Sequence, residues 1–109
     1  MMNDYFKEEI GKLAAERTLI KKMERQVEIQ KSVIGWLDDA GSIIQRCQTY
    51  ALEVDKGLAE GYDQIFKQLD LVHNLHENSI KDKQKSIKNH RDVISCLDSY
   101  ISEMSGWED

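Results

Sequence analysis

An all-α fold, a long antiparallel helical hairpin of coiled-coil type, is what this sequence predicts, and three observations carry the prediction. The first is punctuation: 109 residues contain no proline and only six glycines, too few turn formers for strands that must reverse at short intervals. The second is period. Alternate steps of four and three residues from Tyr62 land on Phe66, Leu69, His73, His76, Ile80, Lys83, Ile87, His90, Ile94, Leu97, Ile101 and Met104. A spacing averaging about 3.5 residues holds one stripe of a helix against a neighbour over its whole length. The third is a matching stripe upstream, where Leu13, Ile20, Val27 and Ile34 recur every seven residues and Met23, Leu37, Ile44, Ala51 and Leu58 take the companion positions.

Taken in order, the first helix is expected over about residues 4–56. Asn3 or Asp4 can cap it, and Glu8 and Glu9 lie where the helix dipole favours acid. Gln30 and Gln48 interrupt its seam, as polar residues do where register is fixed at some cost in stability. Gly41, followed by Ser42 and Gln45 at capping-box spacing, suggests a kink near 38–42. Gly57 and Gly61 mark the expected turn at 57–61, and a second helix follows over about 62–105. The whole chain, 1–109, then forms one helical domain. A three-helix bundle, broken near residue 40 and again near Glu77-Asn78-Ser79, is the rival. Folding near residue 59 makes the numbers of facing residues sum to about 118. Ile20 then lies near Leu97, Val27 near His90, Ile34 near Lys83, Ile44 near Leu75 or His73, and Ala51 near Phe66.

Composition narrows the chemistry. The formal net charge of -5 argues against general nucleic-acid binding, whose affinity comes mostly from cations at phosphates. The basic run Lys81, Lys83, Lys85, Lys88 and Arg91 carries Asp82 and no interleaved aromatic, as a solvated helix face does. No apolar run approaches the ~18 residues of a membrane span, and Met1 to Lys12 lacks the order of a signal peptide. The expectation is a cytoplasmic chain whose export, if it occurs, uses a route independent of a signal peptide. Cys47 and Cys96 lack metal-ligand spacing and are expected as two free thiols, buried for structural reasons. His73 and His76 are three residues apart, but both lie on the seam, and His90 lies too far along the helix to complete a metal site. Partners such as Gln30 or Ser32 suit them better. No cofactor, metal or catalytic constellation is expected, and the chain reads as a non-enzyme.

The most informative feature lies off the seam. Ile29, Val33, Trp36, Ala40, Ile43, Cys47, Tyr50 and Val54 also step four and three on a second side of the first helix, and Ile65, Val72 and Leu75 make a shorter stripe on the other arm. A two-helix hairpin hides one stripe per helix, so this face needs a cover. Three are available: a third helix of the same chain, a second copy of it, or a foreign helical protein. For the last, Ile29, Val33, Trp36, Ala40, Ile43, Cys47, Tyr50, Val54, Ile65 and Val72 are the candidate partner-binding residues, with Trp36 and Tyr50 as anchors.

In length and pattern the chain resembles the small Trp-x-Gly helical hairpins of bacterial type VII secretion. It resembles more closely the small partner proteins of LXG toxins, which bind the toxin's helical N-terminal region and target it for secretion. The family turn reads Trp-x-Gly, whereas this chain has Gly35-Trp36-Leu37, in the wrong order and with Trp36 on the second apolar stripe. Phe66 with Asp70, and Tyr5 with Glu9, match the aromatic-to-acid spacing of the family's export signal, though neither pair lies in the tail; Trp107 is an aromatic there without a core role. The resemblance implies a non-enzymatic adaptor or chaperone for a helical toxin segment, with a self-associating structural coiled coil as the alternative.

Overall fold

The structure, a computed structural model, describes residues 4–106, with side chains over 7–104. These residues form two helices and no strand: α1 (Asp4–Val54) and α2 (Lys56–Gly106), each of 51 residues. They are antiparallel arms of a hairpin. The predicted architecture is therefore the observed one, and the three-helix alternative is not what the described residues adopt.

One residue makes the turn. The Asp55 amide donates to the Ala51 carbonyl (2.9 Å), closing the last turn of α1, while its own carbonyl accepts from the amides of Leu58 (3.1 Å) and Ala59 (3.3 Å). Its side-chain Oδ1 accepts from the Gly57 amide at 2.8 Å. That is the geometry of a helix N-cap, which satisfies amide groups that the first turn leaves without intrahelical partners. The turn expected at 57–61 is thus displaced toward the N-terminus. Both glycines there are helical residues of α2, and no described residue has a positive φ. Glycine permits a turn without requiring one, whereas an aspartate next to a free helix start gains a hydrogen bond.

The break expected near 38–42 is also absent. α1 passes through Asp38, Gly41 and Ser42 as helix, because a capping glycine must take a left-handed backbone and Gly41 does not. Of the first cap, Asp4 is the opening residue of α1, and Asn3 lies outside the described residues.

Packing groups the hairpin into two compact units, each containing a stretch of both helices. The turn unit is Glu28–Lys81; the terminal unit takes the described residues up to Val27 and from Asp82 onward. In the terminal unit Leu13, Ile20, Val27 and Ile87 are buried, and in the turn unit Ala59 and Ile80. Every seam position expected on the second arm, from Tyr62 to Met104, is buried or half-buried, as are all those on the first arm except Leu58. Leu58 belongs to α2 and is 56% exposed; Ala59 takes the first seam place of that helix instead.

Two stability outcomes follow. Ile87→Ala should lower the unfolding free energy by about 3 kcal/mol in urea titration, as large-to-small changes at buried sites do, while Ile29→Ala stays within about 0.5 kcal/mol. Gly41→Ala should raise it by about 0.5–1 kcal/mol, since an added Cβ meets nothing within 4 Å; a loss there would mean that residues 38–42 do interrupt α1.

Candidate functional site

The register decides which side chains meet. In the turn unit Gln30 Nε2 lies 3.4 Å from His76 Nδ1, Asp38 Oδ1 3.3 Å from His73 Nε2, and Gln48 Nε2 2.9 Å from both Asp63 Oδ1 and the Ala59 carbonyl. In the terminal unit Glu16 meets His90, Arg17 reaches Asp98 at 3.5 Å, and Glu24 accepts from Arg91 at 3.1 Å. The residue numbers of these facing pairs sum to between 106 and 115. The expected sum of about 118 is therefore corrected by roughly one heptad, as the earlier turn requires. His90 meets Glu16 rather than Val27, and the stripe of Ile65, Val72 and Leu75 faces residues nearer Gly35 than Glu53.

The seam histidines are all partnered within the fold. His76 has Gln30, as expected from sequence; Ser32 instead donates to the Glu28 carbonyl of its own helix at 3.2 Å. His73 lies between Asp38 and Glu77, the latter at 3.5 Å. Among the described residues no group of three or more His, Cys, Asp or Glu side chains is placed to hold a metal ion, and no helix is long and apolar enough to cross a membrane. Both thiols are free, and both are exposed, which corrects the expectation of buried cysteines. Cys47 and Cys96 each stand one residue before a seam position, about 100° round the helix from it, so neither points into the hairpin. The basic run divides. Lys83 is half-buried on the seam, Arg91 pairs with Glu24, and Lys81, Lys85 and Lys88 are exposed.

The candidate docking face lies wholly in the turn unit. Trp36 is 67% exposed, Ile43 58% and Tyr50 71%; no helix of the described residues lies over them. Ile29, Cys47, Val54, Ile65 and Val72 are exposed too, and Val33 and Ala40 are half-buried at the groove side of the stripe. Each member precedes a seam residue by one: Val33 stands before Ile34, Trp36 before Leu37 and Ile43 before Ile44 on α1, Ile65 before Phe66, Val72 before His73 and Leu75 before His76 on α2. One step back turns a helix by about 100°, and in antiparallel helices that same step rotates both stripes to one side of the plane through the two axes. The two stripes therefore form one surface.

Contacts agree with this construction. An open groove is lined by Ile43, Cys47, Tyr50 and Val54 of α1 together with Tyr62 of α2. A second, lined by Leu58, Gly61 and Ile65 of α2, adjoins it through Ala51 and Tyr62. Leu58 and Gly61 are members of this face that the sequence reading missed, having placed Leu58 on the first seam and Gly61 in a turn. The signal was present: Leu58, Ile65 and Val72 are seven residues apart. Of the large apolar side chains exposed among the described residues, only Ile10, Leu19 and Val93 belong to the terminal unit. Phe66, half of the candidate export signal, is half-buried on the seam with Asp70 exposed; Trp107 lies outside the described residues, and so does the side chain of Tyr5.

No protein-family model matches the chain, and no curated protein or solved structure matches it.

The polar seam also has a measurable consequence. Replacing both Gln30 and His76 by Leu should make the hairpin more stable to urea than either single replacement, because a half-buried polar group left without its partner costs more than an apolar pair. Additive single effects would mean that the two side chains do not interact.

Proposed function

We propose that this chain is a non-enzymatic adaptor or chaperone that receives a helical segment of another protein in the groove between α1 and α2. The observation that supports the reading is the exposed apolar face of the turn unit. Trp36, Ile43 and Tyr50 stand in solvent at heptad spacing on α1, and Leu58, Ile65 and Val72 do so on α2. A contiguous apolar surface of this kind exceeds what soluble monomers usually leave uncovered, and its spacing suits an amphipathic helix laid along the groove. Aromatic side chains held on a rigid helix lose little entropy on binding, which makes Trp36 and Tyr50 the anchors.

The client class we propose, on the resemblance to LXG-toxin partners, is the helical N-terminal region of a toxin handed to type VII secretion. A cytoplasmic site of action and signal-independent export belong to the same proposal. Light scattering after size exclusion tests it, using this chain mixed with the helical product encoded beside it. The expected result is a stable mixed complex whose dissociation constant rises at least tenfold in Trp36→Ala, with the circular dichroism of the free chain unchanged. Equal loss of binding and of fold would make Trp36 a core residue; no complex with the wild-type chain would remove the adaptor role.

A further inference from the structure

We infer that, with no client present, a second copy of this chain covers the apolar face, stacked antiparallel on it about a twofold axis level with Ile43. The inference rests on the docking face described above and names its occupant in the free protein.

From Val33 to Val54 the stripe on α1 is close to a palindrome, with Ile29 lying beyond it. Counting outward from Ile43, aromatic residues stand seven places away on both sides, Trp36 and Tyr50. Small residues stand at the inner positions, Ala40 and Cys47, and valines at the outer ones, Val33 and Val54. An isologous twofold contact sets residue i against residue j and residue j against residue i. Trp36 then meets the partner copy's aromatic, and the small residues meet each other where the backbones approach. The border fits as well: Asp39 and Arg46, at the outer edge of the same helix, lie at nearly equal distances on either side of Ile43, so each copy's base reaches the other's acid. Of the remaining border, Ser32 on α1 and Gly57, Gln64 and Asn78 on α2 are uncharged, and Glu53 is charged.

The second helix supplies an independent check. Its stripe runs from Leu58 to Leu75, with Gly61 opposite in sequence to Val72 and Ile65 to Gln68, and so centres between Phe66 and Lys67. The hairpin register of the turn unit sets that level beside residues 40 to 45 of α1, a span of about one and a half turns that contains Ile43. Two stripes on different helices therefore share one midpoint. A single axis perpendicular to both helices satisfies them together, stacking α1 on its copy and α2 on its copy.

Size agrees with a stable contact. The twenty-one steps from Val33 to Val54 span about 30 Å. Two helices side by side are roughly 20 Å wide. Each copy would cover about 600 Å², or about 1,200 Å² in total, the lower edge of specific interfaces.

Light scattering and disulfide trapping on the full-length chain test this. The free protein should run at twice its mass of 12.7 kDa, and Ile43→Glu, which puts two carboxylates at the axis, should return it to the monomer mass with helicity unchanged. In a Cys96→Ser background, Ala40→Cys should form an intermolecular disulfide with Cys47 under mild oxidant. Two such residues on one helix are about 10 Å apart and cannot bridge within a chain. Three outcomes overturn the inference: a monomer mass for the wild type at every concentration, a dimer indifferent to Ile43→Glu, or equal trapping when Cys47→Ser is added, which would mean parallel α1 helices. A monomeric chain that still binds its neighbour product through Trp36 would sink only the self-pairing. A dimer that ignores that product would sink only the adaptor reading.

Discussion

Asp55 is the constraint on which the rest of the hairpin depends. With one non-helical residue between two long helices, the connection has almost no slack, so the point at which the chain reverses also fixes which residue of α1 stands beside which residue of α2. The aspartate serves both helices at once, since its amide completes α1 and its carboxylate caps α2. From that register follow the pairing of Gln30 with His76 and of Glu16 with His90, and the common level of the two outer apolar stripes.

This is also why the sequence revealed the elements better than their alignment. A heptad pattern states which side of a helix faces a neighbour; sliding one arm by seven residues returns every seam side chain to the seam. Ile80, Ile87 and Leu97 are seam residues under either register, so their placement could be read from periodicity alone. The turn could not, because Gly57 and Gly61 look like punctuation while Asp55 looks like an ordinary charge. Only the backbone hydrogen bonds distinguish a helical glycine from one that ends a helix. The error of about one heptad came from that choice and propagated to each expected cross-helix pair, while of the seam positions only Leu58 was misassigned.

The exposed apolar face was legible for the same reason as the seams. Trp36, Ile43 and Tyr50 are in phase with one another and out of phase with Leu37, Ile44 and Ala51, and their exposure follows from the geometry of a hairpin with no third helix. Its membership on α2 was only half legible, since the assumed turn removed Leu58 and Gly61 from the helix to which they belong. The thiols were misjudged by general tendency: free cysteines are usually buried, but Cys47 and Cys96 are out of phase with the seam. Polar seam residues and an apolar outer face are thus two sides of one distribution. Grip between the arms is diluted by Gln30, His73, His76 and Gln48, while apolar area in the same unit is turned outward.

The register is tested most directly by nuclear Overhauser contacts in the isotope-labelled chain. Cross-peaks from the Gln30 side-chain amide to the His76 ring, and from the Gln48 side-chain amide to Ala59, are the expected result. Contacts from the Gln48 side-chain amide to Phe66 and Asp70, seven residues beyond Ala59 and Asp63, would instead place the arms one heptad apart from the arrangement described, and with that slip the two outer stripes would lose their common level.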